Sequence, residues 1–101
     1  MKVEVLKHDD QEVLITLEGQ LDTAASQQFM NDIEPEIENA GRSFTLDFTN
    51  LKYIASSGLR VLLTLKKKAQ EEGGSVSIVG MSENVLQIFR LVGFDRIFDI
   101  K

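Results

Sequence analysis

The stretch SFTLDFTNLKYIASSGLRVLL, residues 43–63, changes its period midway. Phe44, Leu46 and Phe48 alternate with Thr45, Asp47 and Thr49, the pattern of a strand with one buried face. From residue 58 onward Leu59, Leu62, Leu63, Leu65 and Ala69 recur at helical spacing until Gly73 and Gly74 stop the run. A strand that leads into a helix in this way starts a crossover, and crossovers join parallel strands. Between the two periods stand Ser56, Ser57 and Gly58. Small hydroxylated residues at this junction call for an explanation.

Upstream, Val3 and Val5 alternate with Lys2 and Glu4. After the polar KHDDQE a second run, Val13, Ile15 and Leu17, alternates with Thr16 and Glu18 and ends at Gly19. These two runs read as an antiparallel hairpin. Asp22 then caps a helix, TAASQQFMNDIEPEIENAG, with apolar Ala25, Phe29, Ile33 and Ile37 and a closing Gly41. Pro35 removes a backbone donor and crowds the preceding turn, so a kink or break is expected near residues 31–33. The continuity of the apolar stripe favours a kink.

Downstream, SVSIVG is a further strand. Ser82 caps a third helix, with Met81 and Leu86 placed to form a hydrophobic staple and Val85, Leu86, Phe89 and Val92 on the buried face. The ending GFDRIFDI has room for one short closing strand or turn. The fold expected is α/β: a mixed sheet of about four strands, a β-hairpin followed by βαβαβ, with three helices packed against it.

Composition narrows the function. A chain of 101 residues can bury roughly 60 to 70% of its unfolded surface around one core. With no Cys and a single His there is no disulfide and no thiolate or imidazole cluster for zinc. No cofactor is expected. The net charge of -5 repels a phosphate backbone, so nucleic acid is a poor direct partner, and Lys66, Lys67 and Lys68 read as a solvated helix face. The start MKVEVLKHDD alternates in polarity and lacks the apolar block of a signal peptide. No run is long enough to insert in a membrane, and a cytoplasmic location is expected.

In an open parallel sheet the functional crevice lies beyond the carboxyl ends of the strands. The strand-to-helix loops GQLDTAA, NLKYIASSG and GMS therefore gather Asp22, Thr23, Ser56, Ser57 and Ser82 at one end of the molecule. Ser56 and Ser57 stand where a helix N-terminus favours an anion. Ser57, next to the helical run, is the better cap, with Gly58 allowing the tight turn, which leaves the Ser56 hydroxyl available. A nucleophilic triad is excluded, because the only His, His8, lies between Lys7 and Asp9 in a solvated turn far from the serines. A phosphate-binding Gly-x-x-x-x-Gly-Lys loop is absent, and Asp9 and Asp10 read as turn formers. An exposed hydroxyl on a rigid helix start suits a residue on which another protein acts.

The segment DFTNLKYIASSGLRVLL, with EGQLDTAA before it and KKKAQEEGGSVSIVGMSENVLQIFRLVGFDRIF after it, closely resembles the STAS domain of bacterial anti-sigma factor antagonists. The resemblance extends from the first strand to GFDRIF and implies a single STAS domain over residues 1–101. It implies a partner-switching protein that is not itself an enzyme. Unphosphorylated, such an antagonist binds an anti-sigma factor that is also a serine kinase, and frees a sigma factor. Phosphorylation by that kinase ends the interaction, and a phosphatase resets it.

By position the acceptor serine falls on Ser56, and the Gly-x-Leu-Asp turn beside it falls on Gly19, Leu21 and Asp22. The expected docking face comprises Asp22, Thr23, Ser56, Ser57, Gly58 and Ser82. One departure is Ala55, where sporulation-type members carry an aspartate. A second class of function is a structural accessory subunit, like the small STAS proteins that clamp the ATPase of a lipid transporter, using the same face with no phosphate cycle.

Overall fold

Alternating and helical periods translate into elements in the expected order. The structure, a computed structural model, describes residues 2–8, 11–37 and 42–101 apart from the side chains of Lys7, His8 and Ile37. Strands β1 (Lys2–His8) and β2 (Glu12–Leu21) precede helix α1 (Thr23–Ile37). Then come β3 (Ser43–Ile54), α2 (Ser56–Glu71), β4 (Ser75–Val79), α3 (Glu83–Leu91), a 3-10 turn (Phe94–Arg96) and β5 (Asp99–Ile100). His8 thus closes a strand instead of lying in a loop. The turn formers Asp9 and Asp10 and the closing Gly41 lie outside the described residues.

Strand order follows sequence order, with β1 antiparallel to β2 and every later strand parallel to its predecessor. A sheet that grows in one direction through right-handed crossovers carries all its crossover helices on one face. Burial agrees. Val13, Phe44 and Val76 form one buried row across β2, β3 and β4, and Ile15, Leu46 and Ile78 form the next. Onto these rows α1 contributes Phe29 and Ile33, α2 contributes Leu59, Leu62, Leu65 and Ala69, and α3 contributes Val85 and Phe89. The alternate residues Thr16, Glu18, Thr45, Asp47 and Ser77 are only half-buried on the opposite face.

The sheet has five strands where about four were expected. The added strand is short and rests on aromatic anchoring. Phe89 meets Phe48, Phe94 and Phe98 with ring centroids 6.3, 5.9 and 5.8 Å apart, so the tail is drawn back over α3 and the chain reaches the free edge of β4. Lys101 N–H then donates to the carbonyl of Ile78 at 2.9 Å.

Of the two outcomes expected at Pro35, a break is not seen: helix α1 runs through it. One other expectation needs correction. Val92 does not belong to the buried face of α3: the helix ends at Leu91, leaving Val92 49% and Leu91 85% exposed.

Because Phe89 is fully buried and touches three other rings, Phe89→Ala should lose about 3 to 5 kcal/mol. For a domain of this size that lowers the melting temperature on the order of 15 °C or more. A thermal melt checks it, and a midpoint within about 5 °C of the parent would contradict the anchoring role.

Candidate functional site

The site is built where β2 and β3 end. Both strands run further than polarity alone suggests: β2 continues past Gly19 to Leu21, and β3 continues past Asn50 to Ile54. The loops expected as GQLDTAA and NLKYIASSG shrink to single residues, Asp22 and Ala55.

Two bulges in β3 make this possible. Between Thr16 and Glu18 the β3 partner advances from Asp47 to Asn50, and between Gly19 and Gln20 it advances from Leu51 to Tyr53. Each step leaves one extra residue in β3. Gly19, with φ of 102°, occupies the second irregularity in a conformation that favours glycine. Leu51 and Ile54 consequently turn into the core, while Asn50 and Lys52 face solvent.

The two strand ends remain paired, Leu21 opposite Ile54, and the Ala55 N–H donates to the Leu21 carbonyl at 2.9 Å. The starts of α1 and α2 are therefore neighbours. On the α1 side, Asp22 is the cap: its Oδ1 accepts from the Ala25 N–H at 2.9 Å. The buried Ser26 hydroxyl donates back to the Asp22 carbonyl at 2.6 Å.

On the α2 side the cap differs from expectation. The N-cap residue is Ala55, in extended conformation, and it offers no side-chain acceptor. Ser57 does not cap the helix. It lies inside the first turn, and its hydroxyl donates to Thr23 Oγ1 at 3.2 Å, tying α2 to α1. The physical reason is tertiary: the Ala55 N–H is already held by Leu21, which fixes the start of the helix one residue before Ser56. Ser56 is exposed, and its hydroxyl has no hydrogen-bond partner among the described residues.

Gly58 sets how closely α2 approaches the sheet. A Cβ at this position would lie 2.9 Å from each of Ile54 Cγ1, Leu21 Cγ and the Leu21 carbonyl oxygen. The helix start is thus pressed on the ends of both strands, a contact only glycine permits.

Of the six residues expected at this face, Asp22, Thr23, Ser56, Ser57 and Gly58 come together. Ser82 does cap α3, accepting from the Val85 N–H at 3.3 Å, but it stands apart. Strand β4 ends opposite Asp47, and Gly80 packs on Thr49, whereas β3 goes on to Ile54.

Two residues of the neighbourhood escaped the sequence reading. Tyr53, 47% exposed, pairs opposite Gln20 beside the junction, and the bulges hid its orientation. Arg60 follows Ser56 by one helical turn on an exposed position, a spacing visible in SSGLR. Among the described residues no group of His, Cys, Asp or Glu could hold a metal ion. Among the described residues no helix is long and apolar enough to cross a membrane.

A one-sided α/β sheet thus carries, at the paired ends of β2 and β3, a free serine hydroxyl at a helix start beside an acidic cap. The chain belongs to the STAS-domain family: residues 5–99 match the family described as "Mlab, STAS domain". A STAS-domain containing protein of Pseudomonas aeruginosa is 32% identical over 92 residues, covering 91% of this chain and 90% of the relative. The anti-sigma-B factor antagonist of Bacillus subtilis is 23% identical over 95 residues, 94% of this chain and 86% of that protein.

Among solved structures, the unphosphorylated anti-sigma factor antagonist SpoIIAA superposes with a TM-score of 0.86 at 22% identity, over 99% of this chain and 88% of that one. The phosphorylated form of the Bacillus protein SpoIIAA superposes with a TM-score of 0.77 at 21% identity, over 99% and 91%. Both likenesses concern the fold.

Gly58→Ala separates two effects of opposite sign. Helix propensity alone would stabilise the variant by about 1 kcal/mol. The crowding against the Leu21 carbonyl should instead destabilise it by roughly 1 to 3 kcal/mol. Urea unfolding of the two proteins decides, and a more stable alanine variant would show that the approach of α2 is slack.

Proposed function

We propose that this chain is a partner-switching anti-sigma factor antagonist. Unphosphorylated, it docks on an anti-sigma factor serine kinase through the face carrying Asp22, Thr23, Ser56, Ser57 and Gly58, with Ser82 at the border, and so frees a sigma factor. Phosphorylated on Ser56, it lets go. In this scheme it acts in the cytoplasm as one domain over residues 1–101, with no catalysis, cofactor or metal of its own and no direct contact with nucleic acid.

The observation that carries the proposal is the Ser56 hydroxyl: exposed, without a partner among the described residues, on a helix start that the Leu21–Ala55 bond and the Ser57–Thr23 bond hold in place. The relatives named anti-sigma factor antagonists support the class of partner. In the phosphoryl step Ser56 Oγ bonds to the γ-phosphorus of ATP held by the kinase, its proton passes to a base of the kinase, and ADP leaves. The reset is hydrolysis: a phosphatase directs water to phosphorus, inorganic phosphate departs, and the serine regains its proton.

The domain tolerates this modification. Ala55 gives the first turn of α2 no side-chain acceptor, so a phosphate on Ser56 meets a helix dipole that stabilises an anion by about 0.3 to 1 kcal/mol. The interface does not tolerate it. A surface that received a neutral hydroxyl would have to accept roughly -1.5 to -2 charges without partners, at a cost on the order of several kcal/mol.

The accessory reading, in which the same face clamps a transporter ATPase and no phosphate cycle operates, is equally compatible with membership of the STAS-domain family. Affinity capture from the host distinguishes the two, recovering a kinase-type anti-sigma factor or a transporter ATPase. On the first reading, Ser56→Asp should melt within a few degrees of the parent yet bind the anti-sigma factor more weakly, and the phosphorylated protein more weakly still. Undiminished affinity of the phosphorylated protein, or phosphate that persists in Ser56→Ala, would overturn the switch.

A further inference from the structure

Arg60 lies four residues beyond Ser56 on α2, and both are exposed. Residues spaced this way are neighbours on a helix surface. The Cα–Cβ bonds of a helix lean toward its N-terminus, so a long side chain covers the turn before its own Cα. For Arg60 that turn is the one carrying the Ser56 hydroxyl.

The cation is also uncommitted. Arg42 meets Glu36 at 2.9 Å, Lys68 meets Glu34 at 3.4 Å and Arg90 meets Glu83 at 3.4 Å, whereas Lys52, Lys67 and Arg96 have no ion pair among the described residues but lie farther along the chain from the first turn of α2 or outside that helix. Arg60 has no ion pair among the described residues. The helix dipole does not favour a cation near an N-terminus either. What would stabilise the guanidinium there is an anion at the first turn.

We propose that Arg60 is an intramolecular clamp for the phosphate on Ser56. The guanidinium, whose donors form a planar fork, closes on two phosphate oxygens and holds the phosphoserine against the first turn of α2. Phosphorylation then does more than add charge. It withdraws the free cation from the docking face and reverses the sign of the charge carried by the Ser56–Arg60 stripe. The inference rests on Ser56 being the acceptor and goes further in assigning a residue that reads the phosphate within this chain.

The test uses the full chain with phosphoserine incorporated biosynthetically at position 56, so that no kinase is needed. A phosphorus NMR titration gives the second ionisation of the phosphate. A nearby cation favours the dianion, so this pKa should fall below its ordinary value of about 6 in the parent. Arg60→Gln should raise it by roughly 0.1 to 0.4 units, and Arg60→Lys, a point charge without the fork, by less.

Asp22 pushes the phosphate pKa upward in parent and variant alike, so the difference isolates Arg60. Lys67→Gln, two turns further along α2, should leave the value unchanged. Equal pKa values in the parent and in Arg60→Gln would overturn the clamp, as would a Lys67→Gln effect as large as that of Arg60→Gln. A kinase that ignored Ser56 would overturn the acceptor assignment without altering this titration, so the two failures are distinguishable.

Discussion

The parallel pairing of β2 with β3 is carried to the last residue of both strands, and the single hydrogen bond that continues it, Ala55 N–H to the Leu21 carbonyl, governs the functional end of the molecule. It fixes where α2 begins and leaves no loop on either side, since only Asp22 and Ala55 separate strand from helix. The Ser57–Thr23 bond and the close approach at Gly58 follow from that placement. Without the pairing, Ser56 would stand on a flexible connection and could be presented in many ways. With it, the backbone that carries the hydroxyl is held in one place relative to Asp22 and Thr23.

Sustaining the pairing takes two residues more in β3 than in β2. From the pair Glu12–Ser43 to the pair Leu21–Ile54, β2 uses ten residues and β3 twelve. On strict alternation Asn50 and Lys52 would share the face of Phe44, Leu46 and Phe48 and bury an amide and an ammonium among apolar side chains, which is costly without partners. The first bulge turns Asn50 and Lys52 to solvent and brings Leu51 into the core, and the second turns Tyr53 outward and returns Ile54 to the core. The bulges are therefore the way this strand stays in the sheet long enough to deliver Ser56.

That history explains what polarity patterns revealed and what they concealed. Regular alternation in Val13–Leu17, Phe44–Phe48 and SVSIV, and helical spacing in Leu59–Ala69, made the element order, the hairpin and the parallel crossovers legible. The far ends of β2 and β3 were not, because a bulge interrupts the very period by which a strand is recognised. Asn50 therefore looked like the end of β3. The cap of α2 was hidden for a related reason: a serine before an apolar helical run is a good local candidate, but here a bond from the neighbouring strand sets the start two residues earlier, at Ala55 and not Ser57. Ser82 was placed correctly as a cap, but sequence order says which end of a strand a loop belongs to and not how far that strand reaches, and β4 pairs with β3 only as far as Asp47.

The same rigidity bears on how such a site can be switched. A serine on a mobile loop could respond to phosphate by moving aside, and the partner might then be met by a rearranged surface. Here the first turn of α2 cannot withdraw without breaking its contact at Gly58 with Leu21 and Ile54, both fully or almost fully buried. Nor can it rotate freely, because Ser57 is tied across to Thr23. New charge at position 56 therefore stays where the hydroxyl was, and any response open to this chain alone lies in exposed side chains near it, of which Arg60 is one helical turn away. On the proposed reading, a face built on paired strand ends thus converts a chemical change of one residue into a change of surface charge, with the backbone beneath it held in place.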